Sequence, residues 1–201
     1  MNNFFATVAS LAFITGSSAA FAGDFDNNTI GLQMFSGSMD YSIDADKNGL
    51  TELEIGYTAF EYVIGEDIYS DVRFALSTDI SQPDNVTLLG QYNVSKYITD
   101  DLLAYGTAEV GYTTVSSFSN GVWYVEPTVG AAYAFTDTVA VYGEVAYAWD
   151  MSNSFNTIGG SVEIGLPISI NESFIVTPSV SKAFDTNSDD MNFRLETTLF
   201  F

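Results

Sequence analysis

The chain has 201 residues, 26 acidic and 5 basic side chains, a formal net charge of −21, and neither Cys nor His. That length suits one domain. So acidic a balance excludes binding to nucleic-acid phosphates, which takes a basic surface. The missing thiols exclude disulfides, and the missing imidazoles remove the commonest metal ligand and the usual general base.

The N-terminus reads as an export signal. Asn2 and Asn3 precede an apolar run from Phe4 to Thr15, and small residues follow up to Ala20-Phe21-Ala22. This pattern predicts a signal peptide over 1–22, cut before Gly23, and one domain over 23–201. The usual Lys or Arg is missing ahead of the apolar run, where the amino terminus supplies the positive charge. No later segment has the roughly 20 apolar residues of a spanning helix.

From there the dominant signal is alternation at period two. It predicts ten strands, at 29–41, 50–60, 68–77, 86–95, 102–114, 122–135, 139–149, 157–170, 173–184 and 191–201. Most match the roughly 9–11 residues that a tilted strand needs to cross a bilayer. The first expected loop, Ser42 to Gly49, contains Asp44-Ala45-Asp46-Lys47-Asn48-Gly49. Asp44, Asp46 and Asn48 fit the opening positions of an EF-hand calcium loop. The bidentate Glu falls one residue early, at Glu54 instead of Ile55, so an ordinary acidic turn is the preferred reading and weak calcium binding the lesser one. No other cofactor is expected.

Alternation is clearest from Val122 to Phe135. Trp123, Val125, Pro127, Val129, Ala131, Tyr133 and Phe135 share one face, and Tyr124, Glu126, Thr128 and Gly130 the other. Short turns, such as Thr136-Asp137-Thr138, alternate along the chain with polar loops, such as Met151 to Asn156. Outer-membrane barrels alternate periplasmic turns and external loops in this way. The prolines at 127 and 178 interrupt strands, so bulges or local distortions are expected there.

A soluble barrel also alternates but turns its apolar face inward. Three features favour a membrane. The apolar face carries almost no charge except Lys182, near a strand end where it can snorkel. Its aromatics cluster toward strand ends, with Tyr112, Trp123 and Trp149 at one end and Tyr92, Phe135, Phe174 and Phe201 at the other. It also holds small residues (Gly90, Gly106, Ala108, Ala131, Gly143 and Gly160), which would leave gaps in a soluble core but not against lipid.

The polar face carries Glu54, Asp71, Glu109, Glu126, Glu144, Glu163 and Glu196 against Arg73 and Arg194. This set predicts either an acid-lined lumen that favours cations or a hydrogen-bonded plug filling a narrow barrel. Without His or Cys, no Ser-His or Cys-His nucleophile can be assembled, so an enzyme is not expected.

The last strand sets Phe193, Leu195, Thr197, Leu199 and Phe201 on its apolar face. This ending resembles the C-terminal signal read by the outer-membrane assembly machinery. With its compact size, the chain resembles the small barrels of the OmpA/OmpX/opacity-protein type. The resemblance implies an antiparallel up-and-down transmembrane β-barrel; such relatives usually have eight strands, whereas the alternation here counts about ten. The resemblance also implies residence in the outer membrane of a Gram-negative cell. Lipid, lipopolysaccharide and the assembly machinery are then the expected partners. The leading functional expectation is a structural envelope role with a narrow cation-preferring channel. The alternatives are a surface interaction protein using acidic loops and a secreted soluble binding barrel.

Overall fold

The structure, a computed structural model, describes residues 38–200 apart from 48, 66–67, 81–84, 115–120, 172 and 186–190, with the backbone alone at 59–65. The expected signal segment 1–22, its cleavage point, the start of the first expected strand and Phe201 lie outside the described residues.

The described strands are β1 (Ser38–Asp46), β2 (Gly49–Gly65), β3 (Ile68–Asp79), β4 (Val86–Tyr97), β5 (Leu102–Thr114), β6 (Gly121–Ala134), β7 (Ala140–Asp150), β8 (Asn156–Gly165), β9 (Ile168–Asn171), β10 (Phe174–Phe184) and β11 (Met191–Phe200). Each pairs antiparallel with its neighbour. β11 pairs with β1 from Ser38↔Phe200 to Ala45↔Phe193, which closes the sheet. β8 and β9 both pair with β10, as two halves of one stave broken at Leu166-Pro167. The wall is therefore the ten-strand closed barrel anticipated from the alternation.

Of the bulges or local distortions expected at the prolines, the structure shows the second, as gaps in the ladder. Pro127 keeps its place opposite Ala108 on β5. On its other side, the β6–β7 ladder resumes in the same register between Val125↔Trp149 and Thr128↔Ala146. Pro178 stays opposite Leu195, and its other side meets the break between β8 and β9, where the Leu166 N–H donates to its carbonyl at 2.9 Å. A residue without an N–H sits where a ladder bond is already missing.

The first hairpin departs most from expectation. β1 runs on to Asp46 and β2 on to Gly65, so segments expected as loop (42–49) and turn (61–67) are mostly strand. Their polar residues suggested loops, but the inside of this barrel is polar. Ser38, Asp40 and Ser42 sit buried there, while Tyr41 and Ile43 face outward.

The outward face is apolar all round. Val129 is 65% exposed, and Phe74, Trp123, Ile164 and Phe193 are half exposed or more. A monomer in water rarely tolerates so large an apolar surface, whereas lipid requires it. Tyr112–Trp123 and Tyr147–Trp149 pack at 4.8 Å toward the loop end, and Tyr133–Phe135 at 5.3 Å toward the turn end. These positions match two interfacial girdles. Both described chain ends lie at the turn end, which is the periplasmic side in barrels of this kind.

Candidate functional site: the acidic lumen

The inner face is built around long side chains that lie flat against the wall. Arg73 on β3 crosses Gly56 of β2 and reaches Asp40 on β1. Its Nε donates to Asp40 Oδ1 at 3.2 Å, its Nη2 binds Asp40 Oδ2, and Nη2 also lies 2.5 Å from Glu54 Oε1. Arg73 Nη1 donates to Gln91 Oε1 at 3.3 Å, and Gln91 Nε2 to Glu109 Oε2 at 2.5 Å. The Tyr124 hydroxyl donates to Glu109 Oε1 at 2.6 Å. One chain of hydrogen bonds thus runs across β1 to β6. It satisfies groups that would be costly to bury alone.

Three tyrosines repeat this design. Each lies over a glycine of the adjoining strand and presents its hydroxyl to a carboxylate. Tyr124 covers Gly111 and meets Glu109, Tyr105 covers Gly130 and meets Glu144 at 2.7 Å, and Tyr142 covers Gly165 and meets Glu163. A Cβ at Gly130 would collide with the Tyr105 ring. We therefore expect Gly130→Val to cost about 1–3 kcal/mol, by displacing the ring and stripping Glu144 of its phenol. Gly106→Val is the contrast. It projects onto the lipid face, where Thr128 O lies at an ordinary contact distance of 3.7 Å, and it should be nearly neutral. Urea unfolding of both variants in liposomes checks this, and equal losses would contradict it.

Arg194, the second lumenal base, faces its register partner Asp44 across the β1–β11 seam, with Nε–Oδ1 2.8 Å and Nη2–Oδ2 3.0 Å. Asp44, singled out above as a calcium ligand, therefore serves an ion pair. Asp46 also lies in β1, and Asn48 lies outside the described residues. Among the described residues, no three acidic side chains group as a metal site would need.

A cavity of about 510 Å³ occupies the loop-side half of the lumen. Glu54, Arg73, Glu109, Glu126, Glu144, Glu163 and Arg194 all line it. Asp71 and Glu196 face inward but away from it. Asp71 accepts from Asn93 at 2.7 Å, and Glu196 from Thr198 at 3.4 Å. The alternation of the sequence missed Asp40 and Gln91 as partners in the Arg73 chain, and the three tyrosines as carboxylate donors. Asp40 already falls in the expected strand 29–41, and extending the period-two pattern past residue 41 would have placed Asp44 inside with it. Nothing in the sequence pairs them with particular bases.

Toward the turn end the interior changes character. Leu103, Ala132 and Tyr142 form a buried cluster, with Tyr69 and Tyr97 packed against it. The two tyrosines meet edge-on with centroids 6.0 Å apart. Ala140 and Ile175, with Phe200 against them, make a second cluster. Of the residues matched above to the assembly signal, Phe193, Leu195 and Leu199 are exposed on the outer face of β11.

No family model matches this chain, and no curated protein matches its sequence. Its structure is similar to the KdgM porin in complex with disordered oligogalacturonate, with 13% identity over 82% of this chain and 99% of that one and a TM-score of 0.52. It is equally similar to the NanC porin, with 6% identity over 80% and 98% and a TM-score of 0.53. At these identities the likeness speaks for the fold. With the apolar outer face, it makes the chain an outer-membrane β-barrel of porin-like architecture.

Proposed function

We propose that this barrel is a small cation-preferring channel of low conductance, with a structural role in the envelope. One observation carries this reading: the cavity is lined by seven carboxylates against two guanidiniums. Both guanidiniums are already engaged, Arg73 by Asp40 and Glu54 and Arg194 by Asp44. A confined lumen with that excess concentrates cations and repels anions. Oligogalacturonate, named with the KdgM porin, is a polyanion and would be repelled here, so neutral or cationic solutes are the fitting class. Kinship with the usually eight-stranded OmpA/OmpX/opacity type is the finer reading of the family, and the ten-strand closure weighs against it. Membrane lipid, lipopolysaccharide and the assembly machinery are the proposed partners.

A second reading has its own observation. The apolar clusters at the turn end favour a barrel plugged by its own side chains. Reversal potentials of the refolded protein in planar bilayers across a KCl gradient decide between them. A channel should prefer potassium several-fold, and Glu109, Glu126 and Glu144 changed together to Gln should reduce that preference. Steady silence would support the plug, and anion preference would overturn both readings.

A further inference from the structure

We infer that the lumenal cavity is a binding site for a linear organic polycation, with ammonium groups spaced along a short hydrocarbon chain. The inference rests on the reading of the cavity as cation-accepting and names what it would hold.

The cavity's volume, about 510 Å³, is that of a small-molecule site and far exceeds the need of one ion. Its lining is mixed. Leu89, Val122, Ala146, Ala148 and Ile158 contribute apolar wall beside the carboxylates. A hydrated metal ion gains nothing from such a wall, whereas methylene groups do. Hard divalent ions also want six or more converging oxygens, and the described acids do not group in that way.

The acids form two separate foci. Glu109 and Glu126 are direct cross-strand partners on β5 and β6, and Glu144 and Glu163 are direct partners on β7 and β8. Like charges directly opposite each other destabilise a sheet, so each focus is relieved by a cation. Glu144 lies opposite Gly130, four residues along β6 from Glu126. That is about 13 Å of strand, a separation that one extended molecule can bridge and one ion cannot. The tyrosine hydroxyls fix three of these carboxylates against the wall, at Glu109, Glu144 and Glu163. Preorganised acceptors lose little freedom when a ligand arrives. Tyr124 also lines the cavity, and its ring offers a face to an ammonium group.

The test is calorimetric titration of the refolded full chain in detergent with spermidine and, separately, with magnesium at matched ionic strength. Spermidine should bind saturably at one site, at least tenfold more tightly than magnesium. Glu126→Gln should weaken it about tenfold. Ala148→Leu, which fills part of the cavity without touching charge, should weaken it also by excluding the chain, and covers the case in which the Gln variant fails to fold. Asp100→Asn, at an exposed turn on the far end, should change nothing. Magnesium binding as tightly as spermidine, unsaturable spermidine binding, or indifference to Ala148→Leu would each overturn the inference. Calorimetry needs no conduction, so silent bilayers with intact spermidine binding would defeat the channel alone. Potassium selectivity without spermidine binding would defeat this inference alone.

Discussion

Val129→Arg should stop the barrel from assembling, or leave it markedly less stable, while Thr128→Arg one residue away should fold nearly as well as the parent. Val129 sits between Gly106 and Val145, with 65% of its surface exposed on the lipid side. An Arg near the bilayer midplane costs about 2–4 kcal/mol. Thr128 lines the cavity instead, where a guanidinium would meet a surplus of carboxylates. The measurement is the folded fraction on cold SDS gels after refolding into liposomes, followed by urea titration. Equal behaviour of the two variants would reverse the assignment of faces.

A comparably large effect is expected at the turn end of the lumen. Leu103 is fully buried among Ala132, Tyr142, Tyr69 and Tyr97, at the place where the acidic interior becomes apolar. If this cluster is the main barrier to ions, Leu103→Ser should at least double single-channel conductance, because it removes volume and adds a hydroxyl that water can solvate. Truncating a buried Leu costs about 2–5 kcal/mol in a compact core. Here the hydrogen-bonded wall should keep the barrel closed despite that loss. Unchanged conductance in Leu103→Ser would place the barrier elsewhere, and the Arg73–Gln91–Glu109 chain would be the next position to alter.

Much of this architecture was legible in the sequence because lipid imposes a strict rule on every strand. Val125, Val129 and Val145 had to face one way for the chain to cross a bilayer, and period two made that visible. The rule weakens where both faces are polar. Ser42 and Asp44 looked like part of a loop, since a polar interior gives no apolar contrast to mark a strand. The same ambiguity made Asp44 look like the first ligand of a calcium loop. Its partner, Arg194, lies 150 residues away in the chain. Only closure of the barrel brings them together. The Arg73 chain was hidden for a related reason: it depends on cross-strand register, which alternation does not specify. The apolar turn end escaped notice because Leu103 and Tyr142 stand on the face that reads as polar elsewhere.

The Asp44–Arg194 pair also bears on how the barrel comes together. The seam between β1 and β11 joins the most distant parts of the described chain, so its closure entropy is the largest of any strand pair and it should form late. Hydrophobic contacts with lipid are nearly the same for several alignments of two strands. A slip of two residues keeps every side chain on its own face, but it would set Arg194 opposite Ser42, or opposite Asp46 at the strand end, instead of Asp44. The ion pair thus penalises a two-residue slip, to which the surrounding Leu and Phe residues are indifferent. A contact satisfied only in the native register would therefore select that register at the seam, where an error would otherwise be locked in around the whole circumference.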